Sequence, residues 1–305
     1  MSPPPRTRLA PPRVIAPIPL LLLLLLAGGA PAEARDRNTL WTVEGEHNTV
    51  YLLGSVHMLR AGDDGLPPAA EAAYEDAEQL VMEIDLDDAT ELGNVAGVLD
   101  SVQRLALLPA GQTLRRIMGE DYRDVAAHAR DLGLDLALFD RFAPWFVGMT
   151  LLQLDLAQRG FRPELGIEQV LATRAAEDGK EIRGLETTEE QLAVLAGLPM
   201  EQQREFLLMT IEESATLDES VEALLTAWRR GDAGRLEDLL TAEYDRFPDL
   251  YRPLTEQRNR AWLDDLEDLL DDREDYLVVV GALHLVGRIS VVDLLRRRGY
   301  RVEQQ

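Results

Sequence analysis

Two of the chain's four histidines close the same short pattern. Val50-Tyr51-Leu52-Leu53 runs into Gly54-Ser55-Val56-His57, and Tyr276-Leu277-Val278-Val279-Val280 runs into Gly281-Ala282-Leu283-His284. Each is a short apolar run of β character, then Gly, two residues and His. Imidazole changes charge near neutral pH and is a common protein metal ligand. Its repeated placement at a strand end is the strongest chemical signal in the chain. Glu83 adds a carboxylate in a third apolar run, 79–84, where burial is costly unless the charge is paired. Two imidazoles and a carboxylate suit a divalent transition ion such as manganese, cobalt or zinc. The spacing is not that of a helical H-E-x-x-H site, so only the fold can assemble the three. Taken singly, either histidine reads as structural, bonded to backbone or buried at a strand end. The matched contexts favour function for the pair. For Glu83 the structural alternative is a salt bridge to a buried Arg, or a strand end that reaches water.

Other polar residues carry weaker signals. Glu186 follows the short run 181–185 and reads either as part of the same strand-end rim or as the cap of a helix starting near Thr188. Arg258 suits a developing oxyanion or a partner for Glu83, and Asn259 suits an ion or an oriented water. In an Arg-rich helix, both read equally well as surface residues. Glu168, in Gly166-Ile167-Glu168-Gln169, stands at a helix start, where the macrodipole favours a carboxylate. His47, in a turn, and His128, in a polar helix, read as surface residues.

These side chains need elements to place them. Residues 39–43 and 49–53 read as a hairpin around the turn 44–48. Pro67-Pro68 starts a helix reaching about Ala77, and 79–84 is a buried-type strand. From about 89 to 178 apolar residues recur at three- and four-residue spacing, notably over 121–132, 144–158 and 164–178. A short strand at 181–185 interrupts helices that resume over 188–272, with breaks near 197–199, 231 and 247–248. A strand at 276–280, a helix over 285–298 and a short strand at 300–302 complete the chain. The expectation is an α/β fold, with one mixed sheet built from the N- and C-terminal parts and a large helical insertion between them. Ligands of open α/β sheets bind beyond the carboxyl ends of the strands. Neighbouring strands lie about 4.8 Å apart, so His57, Glu83 and His284 would meet if their strands are near neighbours. Gly54 and Gly281 would permit close backbone approach there.

The remaining sequence bounds the setting. Arg6, Arg8 and Arg13 precede an apolar stretch with seven leucines at 20–26, then small residues that fit an A-x-A cleavage site. Residues 1–34 therefore read as a signal peptide and 35–305 as a single domain, exported to the periplasm or secreted. The leader's apolar core falls short of the roughly 20 residues that span a bilayer, and no later run approaches that length. No cysteine is present, which excludes disulfides and a lipidated cysteine. A formal net charge of −24 repels phosphate backbones and argues against nucleic acid as a partner. It favours cations, although a solvated acidic surface explains most of it, including the acidic helix face over 264–272.

Together, Tyr51-Leu52-Leu53-Gly54-Ser55-Val56-His57, Val81-Met82-Glu83-Ile84-Asp85, Gly184-Leu185-Glu186-Thr187 with Gln191, Arg258-Asn259, and Val280-Gly281-Ala282-Leu283-His284-Leu285-Val286-Gly287 resemble the TraB/GumN family. That group is related to the Tiki metalloproteases and the pheromone-shutdown proteins. The resemblance runs across nearly the whole chain after the leader, in order. It implies a Tiki-like α/β fold related to erythromycin esterase and the haem-binding ChaN proteins, with His57, Glu83 and His284 in the active site and Arg258 and Asn259 as companions. Members often carry Asp where Glu168 stands. The reading that follows is an exported metal-dependent hydrolase, with peptidase chemistry foremost. His57, Glu83, His284 and Asn259 are its metal set, and Glu83, Arg258 and Glu186 its catalytic groups. Two alternatives stay open. One is a metal-independent esterase-like hydrolase in which a histidine is the base; the other is a non-catalytic protein that binds a peptide or haem. A peptide or small molecule is the expected substrate.

Overall fold

The apolar runs form strands where the alternation and β-branching place them. β1 (Leu40–Glu44) and β2 (Thr49–Ser55) pair antiparallel as the expected hairpin. β3 (Gln79–Met82) ends one residue before Glu83. β4 (Ile182–Gly184), β5 (Tyr276–Gly281) and β6 (Val302–Gln304) follow. They join one sheet in the order β4-β3-β5-β2-β1-β6. The four strands β4, β3, β5 and β2 run parallel, and β1 and β6 close one side antiparallel. β5 lies between β2 and β3, and all six of its residues are buried. That explains its unbroken apolar sequence, since a central parallel strand is covered on both faces. The computed structural model describes residues 38–63, 65–85 and 92–305. The expected leader at 1–34 and the first residues of the helical pattern, at 89–91, lie outside the described residues.

Helices cover the sheet and build the insertion. α1 (Pro68–Asp76) crosses from β2 to β3 with Pro in its first turn, as expected. The only lysine, Lys180, donates from Nζ to the Tyr74 and Ala77 carbonyls at the end of α1, and its ammonium lies 4.5 Å from the Tyr74 ring centroid. Between β3 and β4 come α2 (Leu92–Ala106), α3 (Leu114–Met118), α4 (Tyr122–Asp131), α5 (Pro144–Gln158) and α6 (Ile167–Asp178). Between β4 and β5 come α7 (Thr188–Ala196), α8 (Met200–Glu213), α9 (Leu217–Arg229), α10 (Ala233–Arg246), α11 (Pro248–Arg252), α12 (Arg258–Ala261) and α13 (Leu263–Leu270). α14 (Val291–Arg298) precedes β6.

The sheet core joins β1–β6 to α1, α6, α9, α13 and α14, through residues such as Tyr74, Leu171, Trp228, Leu266 and Leu295. The insertion has its own apolar clusters. One gathers Trp145, Leu195, Phe206 and Leu250; the other gathers Met118, Val125, Val147 and Leu207. Part of the insertion therefore packs on itself, while its helices α6, α9 and α13 pack on the sheet.

Two sequence expectations change. The helix expected over 285–298 starts only at Val291. A 3-10 turn covers Ala282–His284, Gly287 takes φ +91°, and the Ser290 hydroxyl accepts the Asp293 N–H as the true N-cap. The left-handed turn at Gly287 is inaccessible to a continuous helix. His128 is half-buried rather than a surface residue, and its Nε2 is shielded from solvent without a hydrogen-bond partner. It flanks the face by which Val125 and Ala129 bury α4. His47 is exposed, as read from the turn.

Candidate active site

Each parallel strand delivers one ionisable side chain to the same rim. His57 lies beyond β2, Glu83 directly after β3, Glu186 beyond β4 and His284 in the turn after β5. Registers such as Ser55 opposite Gly281 and Met82 opposite both Val279 and Gly184 bring those ends level. The strand-neighbour condition set by the sequence is met. Gly54 and Gly281 sit where the chain has no room to spare. A Cβ on Gly54 would lie 3.1 Å from the Ala282 Cα, and one on Gly281 would lie 3.2 Å from His57 Nε2 and 3.3 Å from Glu83 Oε1. Those last two atoms thus face one small space above Gly281, and His284 Nε2 stands 3.8 Å from Glu83 Oε1.

Glu83 is buried and fully bonded. Its Oε1 accepts the Gly281 N–H (2.8 Å), and its Oε2 accepts from Arg258 Nη2 (2.6 Å) and Gln191 Nε2 (3.0 Å). Burial alone would raise this carboxyl. The neighbouring His284, the Arg258 and His57 cations and the Gly281 N–H outweigh burial and hold it well below the usual carboxylate range. The sequence alternative of a buried Arg partner is therefore realised alongside the rim position.

Arg258 comes from the insertion, at the start of α12. A π-helical turn, Pro253–Gln257, precedes it and widens the helix there, as such turns do at functional sites. All five of its N–H donors are engaged. Nε meets both Glu186 oxygens at 3.0 and 3.1 Å, and Nη2 bridges Glu83 and Glu186. Nη1 donates to the Leu254 carbonyl and meets His284 Nε2 at 3.2 Å. The guanidinium also lies 4.8 Å from the Trp262 ring centroid. Glu186 takes a further bond from Trp262 Nε1 (3.3 Å) and one from Gln191 (3.2 Å). It faces the rim and is not the helix cap; Thr187 caps α7 in a reciprocal box with Glu190.

The two histidines are oriented from behind by different groups. Asn259 is buried, and its Nδ2 must donate to the Ile289 carbonyl (2.7 Å). Its Oδ1 then faces His284 Nδ1 at 2.6 Å, so Nδ1 carries the proton and Nε2 is the acceptor that Arg258 Nη1 meets. Burial, with Arg258 and His57 nearby, depresses the His284 imidazolium to about 3 and keeps the ring neutral. His57 is exposed, and its Nδ1 lies 2.6 Å from Glu168 Oε1. That carboxylate raises the His57 imidazolium to about 9. Ser55 Oγ donates to the same Glu168 oxygen. Gly166 makes this contact possible: it stands just before α6, and a Cβ there would lie 2.2 Å from the His57 carbonyl oxygen.

The rim residues named from sequence are therefore brought together: His57, Glu83, His284, Glu186, Arg258 and Asn259. Glu168 joins them at His57. Sequence reasoning missed the structural parts played by Ser55, Trp262 and the Gln191 carboxamide. Trp262 carried a readable signal, four residues after Arg258 on one helix face. A cleft of about 210 Å³ opens on His57, Glu83 and Glu168, walled by Met82, Pro163 and Gln191.

The donor chemistry fits a divalent ion. Two imidazoles turn Nε2 toward Glu83 Oε1 with each Nδ1 held by a second group, which is how metal-bound histidines are oriented. As arranged, however, no three His, Cys, Asp or Glu side chains among the described residues lie close enough to hold an ion, and Arg258 Nη1 covers His284 Nε2.

Fold and rim define an α/β protein with a polar site at the carboxyl ends of four parallel strands. The chain belongs to the TraB/PrgY/gumN family, whose model matches residues 39–304. It is similar to the uncharacterized protein YbaP of Escherichia coli, 28% identical over 81% of this chain and 87% of the relative. It is more distantly similar to proteins named as metalloproteases. Metalloprotease TIKI2 of Danio rerio is 26% identical over 90% of this chain, and Metalloprotease TIKI1 of Homo sapiens 24% over 90%. These matches span 62% and 63% of the metalloproteases' own length. No solved structure matches.

Proposed function

We propose that this protein is an exported hydrolase of peptide bonds that works with a divalent ion held by His57, His284 and Glu83. The observation that carries this reading is the convergence of His57 Nε2 and Glu83 Oε1 on the space above Gly281, with His284 Nε2 beside it. Export rests on the leader character of residues 1–34. Among the described residues, no helix is long and apolar enough to cross a membrane. The relatives named as metalloproteases support the reaction class.

Manganese, cobalt or zinc in this space would supply Lewis acidity toward a carbonyl and a water. The chain's own groups do the rest. Glu83 Oε1 is the carboxylate oxygen nearest the shared space and would be the oxygen that Glu83 offers to the ion, with Oε2 tied to Arg258 and Gln191. Glu186 and Glu168 are tied into ion pairs, so Glu186 serves as the counter-ion that holds Arg258 rather than as a free base. Arg258 keeps Glu83 ionised and adds positive potential for a developing oxyanion; its Nη1 is the donor released when His284 Nε2 takes another partner. Asn259 fixes the His284 tautomer and so acts on an ion through His284. Glu168 and Ser55 aim His57.

One observation favours a metal-free variant of the same hydrolase. Arg258 sits on His284 Nε2, and the two histidines are pushed to opposite protonation states, the pattern of an acid–base pair. In that case protonated His57 is the general acid, neutral His284 is the base once Arg258 Nη1 leaves its Nε2, and Glu83 orients the pair. A peptide library incubated with the protein and read by mass spectrometry separates the cases. The expected result is cleavage that stops on chelation, returns with Mn²⁺, Co²⁺ or Zn²⁺, and falls at least about 100-fold in Glu83→Gln. Cleavage indifferent to chelation selects the metal-free variant. A wild type no more active than His57→Ala overturns both.

A further inference from the structure

Gln191 belongs to α7, a helix of the insertion, yet its side chain ends in the sheet rim. Its Nε2 lies 3.0 Å from Glu83 Oε2 and 3.2 Å from Glu186 Oε1. Both neighbours are carboxylate oxygens, which only accept, so the amide nitrogen and not the amide oxygen must face them. The same two oxygens are bridged a second time by Arg258 Nη2. Glu83 Oε2 and Glu186 Oε1 therefore sit between two donors, one cationic and one neutral. With Oε2 tied from two sides, the Glu83 carboxylate is held against rotation about its last bond. Only Oε1 is left toward His284 and the space above Gly281, steadied there by the Gly281 N–H.

A single guanidinium does not fix this geometry. Arg258 also serves Glu186, Leu254 and His284. When its Nη1 leaves His284, Arg258 keeps its bonds to Glu186 and Leu254, and Gln191 is a second, independent donor that holds Oε2 in place. Gln191 joins the Glu83 and Glu186 strand ends to a helix that packs on the insertion through Leu192 and Leu195. The position of the insertion is thereby coupled to the orientation of one rim carboxylate.

We propose that Gln191 is a positioning residue that clamps Glu83 Oε2, so that Oε1 alone is presented to the reacting groups. The proposal deepens the hydrolase reading and, for its kinetic consequences, rests on it. Outer groups of this kind change metal affinity or activity by about 10–100-fold when removed.

The test uses Gln191→Leu, close in size and unable to donate, in the full chain after its leader. On a peptide that the wild type cleaves, kcat is expected to fall about 10–100-fold with KM changed by less than about threefold, and Mn²⁺ affinity to weaken by about 10–100-fold. Wild-type kcat and Mn²⁺ affinity in a folded Gln191→Leu protein would overturn the proposal. A urea double-mutant cycle with Gln191→Leu and Glu83→Gln reads the clamp without any turnover. Non-additive stabilities uphold it even if the wild type cleaves nothing, which would fault only the hydrolase reading. Additive stabilities overturn it.

Discussion

Arg258→Met is expected to cost about 3–5 kcal/mol of folding stability at pH 7, the range for breaking a buried ion pair by removing one partner. The substitution retains most of the side chain's volume, so packing loss is a minor part. What it removes is the cation between Glu83 and Glu186, whose side chains are each only 9% exposed. Two carboxylates then share a buried site with Gln191 and Trp262 as neutral donors. The pH dependence has a definite sign. In the wild type, the Glu83 carboxyl is held below its ordinary value. It contributes stability that is present above its unfolded pKa and lost as pH falls through the folded one. Without Arg258, burial and the neighbouring Glu186 raise the folded pKa above the unfolded one, so the ionised form destabilises at pH 7 and protonation relieves the strain. The stability gap between the two proteins should therefore narrow from pH 7 to pH 4. Urea unfolding at both values measures it. A gap under about 1 kcal/mol, or one independent of pH, would show that Arg258 is a surface-like cation and that the rim is not an ionic network.

Gly281→Ala should produce the opposite profile: a folded protein with no function. Gly281 has φ −51° and ψ 136°, which alanine adopts without strain. Its effect comes from one methyl group. The new Cβ would occupy the space faced by His57 Nε2 and Glu83 Oε1, at 3.2 and 3.3 Å. His57 is exposed and can swing aside, while the clamped Glu83 carboxylate must give by a few tenths of an ångström, so stability should fall by about 1–2 kcal/mol and leave the protein folded. Displacing the reacting groups by even a fraction of an ångström is expected to lower hydrolysis at least about 100-fold. Near-wild-type activity in Gly281→Ala would place the chemistry elsewhere on the rim. Loss of folding would mean the glycine serves packing instead.

The parts of this site that were legible in the sequence are those encoded locally. The Gly-x-x-His pair, the apolar runs before it and the Glu at the end of 79–84 are contiguous patterns, and β2, β5 and β3 follow them closely. Pro and Gly stand at several helix ends, as at Pro68, Pro144 and Gly179. What the sequence did not show is set by partners far along the chain. Nothing local distinguishes Arg258 from the many surface arginines; its burial depends on Glu83, 175 residues away, and on Glu186, 72 residues away. Asn259 was open to a role as an ion ligand until the Ile289 carbonyl fixed its amide and turned its oxygen to His284. Glu186 stood next to a good cap, and Thr187 took that role. The late start of α14 reflects a left-handed turn at Gly287 that periodicity does not register.

The central claim is that the two Gly-x-x-His histidines and Glu83 form one ion-binding reaction site. Calorimetric titration with Mn²⁺, Co²⁺ and Zn²⁺, on wild type and on the His57→Ala/His284→Ala double variant, tests it most directly. The expected result is near-stoichiometric binding of at least one ion by the wild type and its loss in a folded double variant. Binding that survives in the double variant, or its absence for all three ions in a folded wild type, would contradict the claim.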